Sequence, residues 1–132
     1  GGQIVNVSSV LGHRALPGMG AYCASKFALN GLTEAMRIEL RRDRIDVLLV
    51  SPGVTATEFR ESAMTTSGQR ETRAPFGAMA PEEVAAAMVR ASQRRKRQVL
   101  LTLAGRAMVE ANRFVPGLFD RFASRMVGPT AK

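Results

Sequence analysis

The sequence is poor in the residues that carry most metal and disulfide chemistry. One cysteine, Cys23, and one histidine, His13, stand among 132 residues. A lone cysteine cannot close an internal disulfide, which fits a reducing compartment and a cytoplasmic protein. One Cys with one His is too few for a structural zinc site, so no metal is expected. No apolar run reaches about 18 residues, so no membrane-spanning helix is expected. Aromatic residues make up 5% of the chain, and Tyr22 is the only tyrosine. Acidic residues are outnumbered, 11 against 19 Lys and Arg, for a net charge of +8.

The basic excess is local. "RRDR" (41–44) and "RRKR" (94–97) each close a helix-like stretch. Two readings stand for these runs. They are solvated helix ends meeting the negative end of the dipole, or they face an anionic partner such as a phosphate-bearing cofactor or an acidic membrane surface. No nucleic-acid partner is expected.

What is present alternates between strand and helix. "QIVNVSS" (3–9) is a β-branched run ending in serines and predicts a buried strand. "VLGHRALPGMG" (10–20) has loop punctuation. Residues 21–42 contain no proline, and Phe27, Leu32, Ala35, Met36 and Leu40 recur at helical spacing, which predicts a long helix. "IDVLLVSP" (45–52) predicts a second buried strand, stopped by Pro52 and Gly53. Residues 53–80 have no clean period, as in a lid, a binding loop or a disordered segment. Pro81 followed by two acids starts a helix to about residue 95. "QVLLTL" (98–103) predicts a third strand, and 104–132 predicts one or two amphipathic helices broken at Pro116–Gly117. Strands alternating with helices imply an α/β protein with a parallel sheet of about three strands and flanking helices. The division expected is 1–103 for the α/β part and 104–132 for a basic helical tail.

One pair carries chemistry. Tyr22 and Lys26 are four residues apart in the predicted helix, so phenol and ammonium share a face. A nearby cation favours the phenolate, which suits a general acid or base. The plain alternative is a tyrosine at a core edge beside a lysine reaching for solvent. In such sheets ligands bind beyond the carboxyl ends of the strands. The first strand delivers Ser8 and Ser9 to that rim, and the second delivers Pro52 and Gly53.

The segments "IVNVSSVLG", "YCASKFAL" with its tyrosine 13 residues after Ser9, and "VLLVSPGVTATEF" resemble the short-chain dehydrogenases/reductases. The resemblance covers residues 2 to 60 and extends more weakly to 103. It implies the C-terminal half of a Rossmann domain of about 250 residues or more, with the glycine-rich phosphate turn expected before Gly1. It implies a nicotinamide-dependent oxidoreductase acting on a small alcohol or carbonyl compound, with NAD or NADP as cofactor and NADP slightly favoured. Ser9 would hydrogen-bond the substrate oxygen, with Ser8 the lesser candidate. Tyr22 would exchange the proton with that oxygen. Lys26 would tune Tyr22 and bond the nicotinamide ribose. Pro52, Gly53, Val54 and Thr57 would contact the nicotinamide. Phe59 and the segment 60–80 would form the substrate lid. A homo-oligomer built on residues 21–42 is expected, because Ala28, Leu32, Ala35 and Glu39 mark a second face of the helix. On residues alone, Cys23 reads as packing and His13 as a solvent-facing or substrate-rim residue. The competing hypothesis is non-enzymatic: an inactive piece of a longer chain, or a membrane-surface module through 104–132, where Arg106, Arg113, Arg121 and Arg125 accompany Phe and Leu.

Overall fold

The computed structural model describes residues 1–55 and 78–124. Thr57, Phe59, Arg125 and most of the expected lid lie outside the described residues. Three parallel strands, β1 (Gly2–Val7), β2 (Ile45–Ser51) and β3 (Gln98–Leu100), pair in the order β1-β2-β3. The register runs from Gly2 opposite Ile45 to Val7 opposite Val50, and from Leu49 opposite Gln98 to Ser51 opposite Leu100. Among the described residues, four helices flank the sheet: α1 (Gly20–Glu39), α2 (Pro81–Gln93), α3 (Leu103–Phe114) and α4 (Pro116–Ser124). The α/β parallel-sheet expectation holds in each of these elements.

β2 is the centre because its sequence can be covered on both faces. Val47, Leu48, Leu49 and Val50 are each at most 2% exposed. A fully buried side chain of this size contributes about 1.5–3 kcal/mol. Leu48 and Val50 pack with Ala91 and Met88 of α2 and with Val5, Val99 and Leu101. Val47, Leu49 and Ser51 alternate to the opposite face, where α1 crosses the sheet. α2 begins as its sequence indicates: Pro81 opens it, and the Glu83 carboxylate accepts from the Ala80 N–H at 2.9 Å.

Three details differ from the sequence reading. The segment after Ser9 is not wholly loop: Val10–Gly12 forms a 3₁₀ turn. β3 is three residues long rather than six, because the Thr102 hydroxyl accepts from the Gly105 N–H at 3.1 Å and starts α3 at Leu103. The third concerns α1. Its buried residues are Cys23, Asn30 and Thr33, whereas Phe27, Leu32 and Ile38 are 46%, 56% and 77% exposed. The small and polar side of the helix meets the sheet, and the apolar side faces outward. The break in the tail falls where the sequence put it, with Pro116 as the first residue of α4.

Both basic runs lie on exposed turns that follow helices. In each, an arginine takes the left-handed conformation that lets the chain leave a helix: Arg44 at φ 57° and Arg95 at φ 50°. Arg95 is also paired with Asp46 at the start of β2.

Candidate active site at the carboxyl end of the sheet

The first two strands run past their formal ends as an ordered ladder. Ser8 N–H donates to Val50 O at 2.8 Å and Val10 N–H to Pro52 O at 2.9 Å. Ser9, between these rungs, is thereby held alongside Ser51 and Pro52. It is 8% exposed and extended, at φ −159°. Its Oγ accepts from Leu11 N–H at 3.1 Å, capping the 3₁₀ turn. A hydroxyl that accepts in this way still has its one hydrogen to donate.

Tyr22 lies in the first turn of α1, half-buried, with Lys26 one turn on. The Lys26 ammonium is 5.7 Å from the centre of the Tyr22 ring, within the range of a cation–π attraction. It donates to Val7 O at 3.0 Å. Lys26 thus ties the tyrosine-bearing face of α1 to the end of β1, two residues before Ser9. Ser8 makes a second tie: its Oγ donates to Asn30 Oδ1 at 2.5 Å and lies 3.4 Å from the Lys26 carbonyl. The Tyr22 and Lys26 side chains are brought together, and the backbone around Ser9 is bound to the same helix face.

The turn after β2 closes the rim. Pro52 is buried and Val54 is 43% exposed. A Cβ on Gly53 would come within 2.8 Å of Thr102 Oγ1 and 2.9 Å of its Cγ2, so only glycine lets the turn rest on the cap of α3. Gly105, one turn into α3, is equally confined: a Cβ there would come within 2.6 Å of Val10 Cγ2. Thr57 lies outside the described residues.

Of the two readings of His13, solvent-facing or substrate-rim, the fold has it at the rim: its ring is half-buried, with Nε2 3.0 Å from Ser51 Oγ. Burial lowers its pKa from 6.5, partly opposed by the Glu34 carboxylate. Two further residues here were not marked by sequence reasoning. Asn30 is 9% exposed and donates to Gly12 O at 2.8 Å. A signal for it existed: Tyr22, Lys26 and Asn30 recur every four residues and so share one helical face. Arg14 has no such local signal. Its guanidinium pairs with Asp120 of α4, 106 residues away, and stacks 4.5 Å from the centre of the Phe119 ring. A cavity of about 430 Å³ lies between this arginine, Leu16, Pro17 and the residues Asp120, Ala123 and Ser124 of α4. Cys23 is 2% exposed, as expected of a packing residue.

A family model described as short chain dehydrogenase matches residues 1–68. An uncharacterised oxidoreductase of Escherichia coli K12, YbbO, is 36% identical over 122 residues, covering 88% of this chain and 45% of its own length. An Anopheles gambiae protein, dehydrogenase/reductase SDR family protein 7-like, is 33% identical, covering 89% of this chain and 38% of itself. The chain therefore spans less than half the length of these relatives. Among solved structures, a short chain dehydrogenase from Burkholderia cenocepacia in complex with NADP superposes with a TM-score of 0.76 at 27% identity, covering 98% of this chain and 48% of that one. One from Sphingobium yanoikuyae in complex with NADPH superposes at 0.68 with 26% identity, covering 98% of this chain and 48% of that one.

Proposed function

The chain belongs to the short-chain dehydrogenase family, and on that premise we propose that Ser9, Tyr22 and Lys26 form the catalytic trio of a nicotinamide-dependent oxidoreductase acting on an alcohol or carbonyl compound. The observation that carries the proposal is the Lys26 ammonium held between the Tyr22 ring and the end of β1. Ser9 donates its hydroxyl hydrogen to the substrate oxygen, the Leu11 N–H having fixed the opposite side of Oγ. Tyr22 gives its phenolic proton to that oxygen in reduction and takes it back in oxidation. Lys26 stabilises the phenolate left behind. Two donors aimed at one oxygen stabilise the charge that develops there.

The residues present fit a nicotinamide riboside. An ammonium has three donors; one bonds Val7 O, and the others suit the vicinal hydroxyls of a ribose. Pro52, Gly53 and Val54, with Thr57 by its place in the motif, would contact the nicotinamide ring. The bound dinucleotide supplies or accepts the hydride. Solved structures that the chain resembles hold NADP, NADPH or NADH, which supports a nicotinamide dinucleotide, NAD or NADP, as the cofactor. Residues 1–103 carry this chemistry, with 104–132 a tail beside it. The whole protein assembles as a homo-oligomer through the outward apolar side of 21–42.

A second reading concerns the surface of the tail. Phe114, Val115 and Leu118, at the corner between α3 and α4, are 76%, 48% and 67% exposed beside Arg113 and Arg121. Apolar residues flanked by cations suit peripheral contact with an anionic bilayer; co-sedimentation with phosphatidylserine vesicles tests it. No helix among the described residues is long and apolar enough to cross a membrane.

The catalytic assignment is tested by Tyr22→Phe in the full-length protein, followed by nicotinamide absorbance with NADH and NADPH. Cyclohexanone, acetophenone, diacetyl and the corresponding alcohols serve as the substrate panel. Turnover should fall on the order of 10²–10⁴-fold with cofactor affinity retained. Near-normal turnover refutes the assignment.

A further inference from the structure

Polar side chains that the trio does not use converge directly beneath it. Asn30 Oδ1 accepts from Ser8 Oγ at 2.5 Å, and Asn30 Nδ2 donates to the Gly12 carbonyl at 2.8 Å. The His13 ring lies 3.4 Å from the same Nδ2, and its Nε2 lies 3.0 Å from Ser51 Oγ. Ser8 is 4% exposed, Ser51 0% and Asn30 9%. Buried polar groups are costly unless paired, and a fully paired network is rigid and fixes one arrangement. A helix that only needed to pack here would be served by an apolar residue at position 30.

The partners of Asn30 are placed around one atom of the site. Ser8 immediately precedes Ser9. Gly12 ends the 3₁₀ turn that Ser9 caps. One carboxamide therefore grips the segment 8–12 from both sides, and Ser9 lies between the two grips. Its anchor is rigid, since Asn30 sits one turn beyond Lys26 on α1, the helix that also carries Tyr22. The room for this arrangement is reserved: a Cβ on Gly12 would come within 2.6 Å of Ser8 Oγ, 3.0 Å of Asn30 Nδ2 and 3.0 Å of the Lys26 carbonyl.

The geometry points to Asn30 as a positioning residue that sets Ser9 relative to Tyr22, with Ser8 as its relay. Resting on the trio assigned above, it extends that reading to residues that touch neither substrate nor cofactor. A displaced hydroxyl weakens the stabilisation of the reacting oxygen without removing the substrate pocket, so the effect falls on kcat.

The test is a double-mutant cycle in the full-length protein, with the panel compound turned over fastest. Asn30→Leu should lower kcat about 10- to 100-fold, with cofactor affinity by fluorescence titration unchanged. Introduced into a Ser9→Ala background, the same substitution should change kcat by less than about twofold, because groups acting as a unit are not additive. A merely structural role would give the same loss in both backgrounds. Ser8→Ala, which removes the relay and keeps the asparagine, should repeat the pattern and covers the case in which Asn30→Leu does not fold. Additive losses, or an unchanged kcat in Asn30→Leu and Ser8→Ala, overturn the positioning role. If Ser9→Ala itself has wild-type kcat, the trio is wrong, and the positioning role falls with it.

Discussion

Gly12→Ala is the smallest change that loads this network. The added methyl would sit 2.6 Å from Ser8 Oγ, 3.0 Å from Asn30 Nδ2 and 3.0 Å from the Lys26 carbonyl oxygen. The last belongs to the backbone of α1, so it cannot withdraw unless the helix moves. Ser8 Oγ can rotate away, but only by giving up its 2.5 Å bond to Asn30. Overpacking of a tight site costs about 1–3 kcal/mol, and a buried polar group left unpaired costs about 1–3 kcal/mol more. Alanine returns roughly 0.4–1 kcal/mol by restricting the unfolded chain. The net expectation is a destabilisation of about 1–5.5 kcal/mol, a large part of the stability of an ordinary domain. Urea unfolding of the full-length protein by circular dichroism would show the midpoint lowered by about 0.5 M or more at ordinary m-values. Gly31→Ala is the internal control, since nothing lies within 4 Å of its Cβ position. In an unassembled α1 it should be neutral or stabilising by up to about 1 kcal/mol. A Gly12→Ala protein within about 0.5 kcal/mol of the parent would show that the turn does not need the space, and the tight grip on segment 8–12 would have to be abandoned.

Three further outcomes follow from separate features. Arg44 holds a left-handed φ of 57°, so Arg44→Gly should stabilise by about 0.5–1 kcal/mol and raise the melting temperature by a few degrees; an unchanged or lower melting temperature contradicts it. His13 has its pKa lowered below 6.5 chiefly by burial, with Glu34 of α1 opposing; the folded state therefore prefers the neutral ring, and stability present above about pH 6.5 is lost as pH falls toward the lowered folded value. The parent should lose more stability than His13→Gln between about pH 7.5 and about pH 5, which spans the ordinary histidine range, and equal losses would remove His13 from the account. Leu32 is 56% exposed on the outward side of α1, and Leu32→Glu should reduce the assembly seen by light scattering, because a buried unpaired charge is strongly unfavourable; a parent that is monomeric at micromolar concentration ends the oligomer proposal.

What could be read from the residues, and what could not, divides along range of interaction. The strand β2 is written locally: an unbroken "VLLV" fits a central strand and little else. The start of α2 is also local, in Pro81 and Glu83, as is the break at Pro116. The apolar run 3–9 and the helical spacing of 21–42 are enough to set Ser9 at the end of the first strand and Tyr22 and Lys26 on the long helix, where the fold has them, while their proposed roles rest on the family motifs. The Thr102 cap was legible in principle, but a strand-like "QVLLTL" masked it, and the strand was read three residues too long. Arg14 and Asp120 could not be paired by any local rule across 106 residues.

The long helix shows why periodicity alone points the wrong way here. Phe27 and Leu32 fall on a helical period, and a helix ordinarily turns such a stripe toward its own core. In this chain the inward side is Cys23, Asn30 and Thr33, with Lys26 and Arg37 along the same edge. Each polar member there has a backbone or side-chain partner on the sheet side: Lys26 on Val7 O, Asn30 on Ser8 and Gly12, Thr33 accepting from Asn6 Nδ2 at 2.9 Å, and Arg37 donating to Val47 O at 2.9 Å. Such a stripe orients the helix by hydrogen bonds of defined length rather than by adaptable apolar packing. That suits the catalytic role proposed for Tyr22, in which the phenol would have to meet a reacting atom and a misplacement of about 1 Å can cost 10²-fold in rate. The same choice turns Phe27, Leu32 and Ile38 outward. The exposed apolar side of α1 and its polar buried side are thus two consequences of one arrangement, and a second copy of the helix would cover the first without disturbing the second.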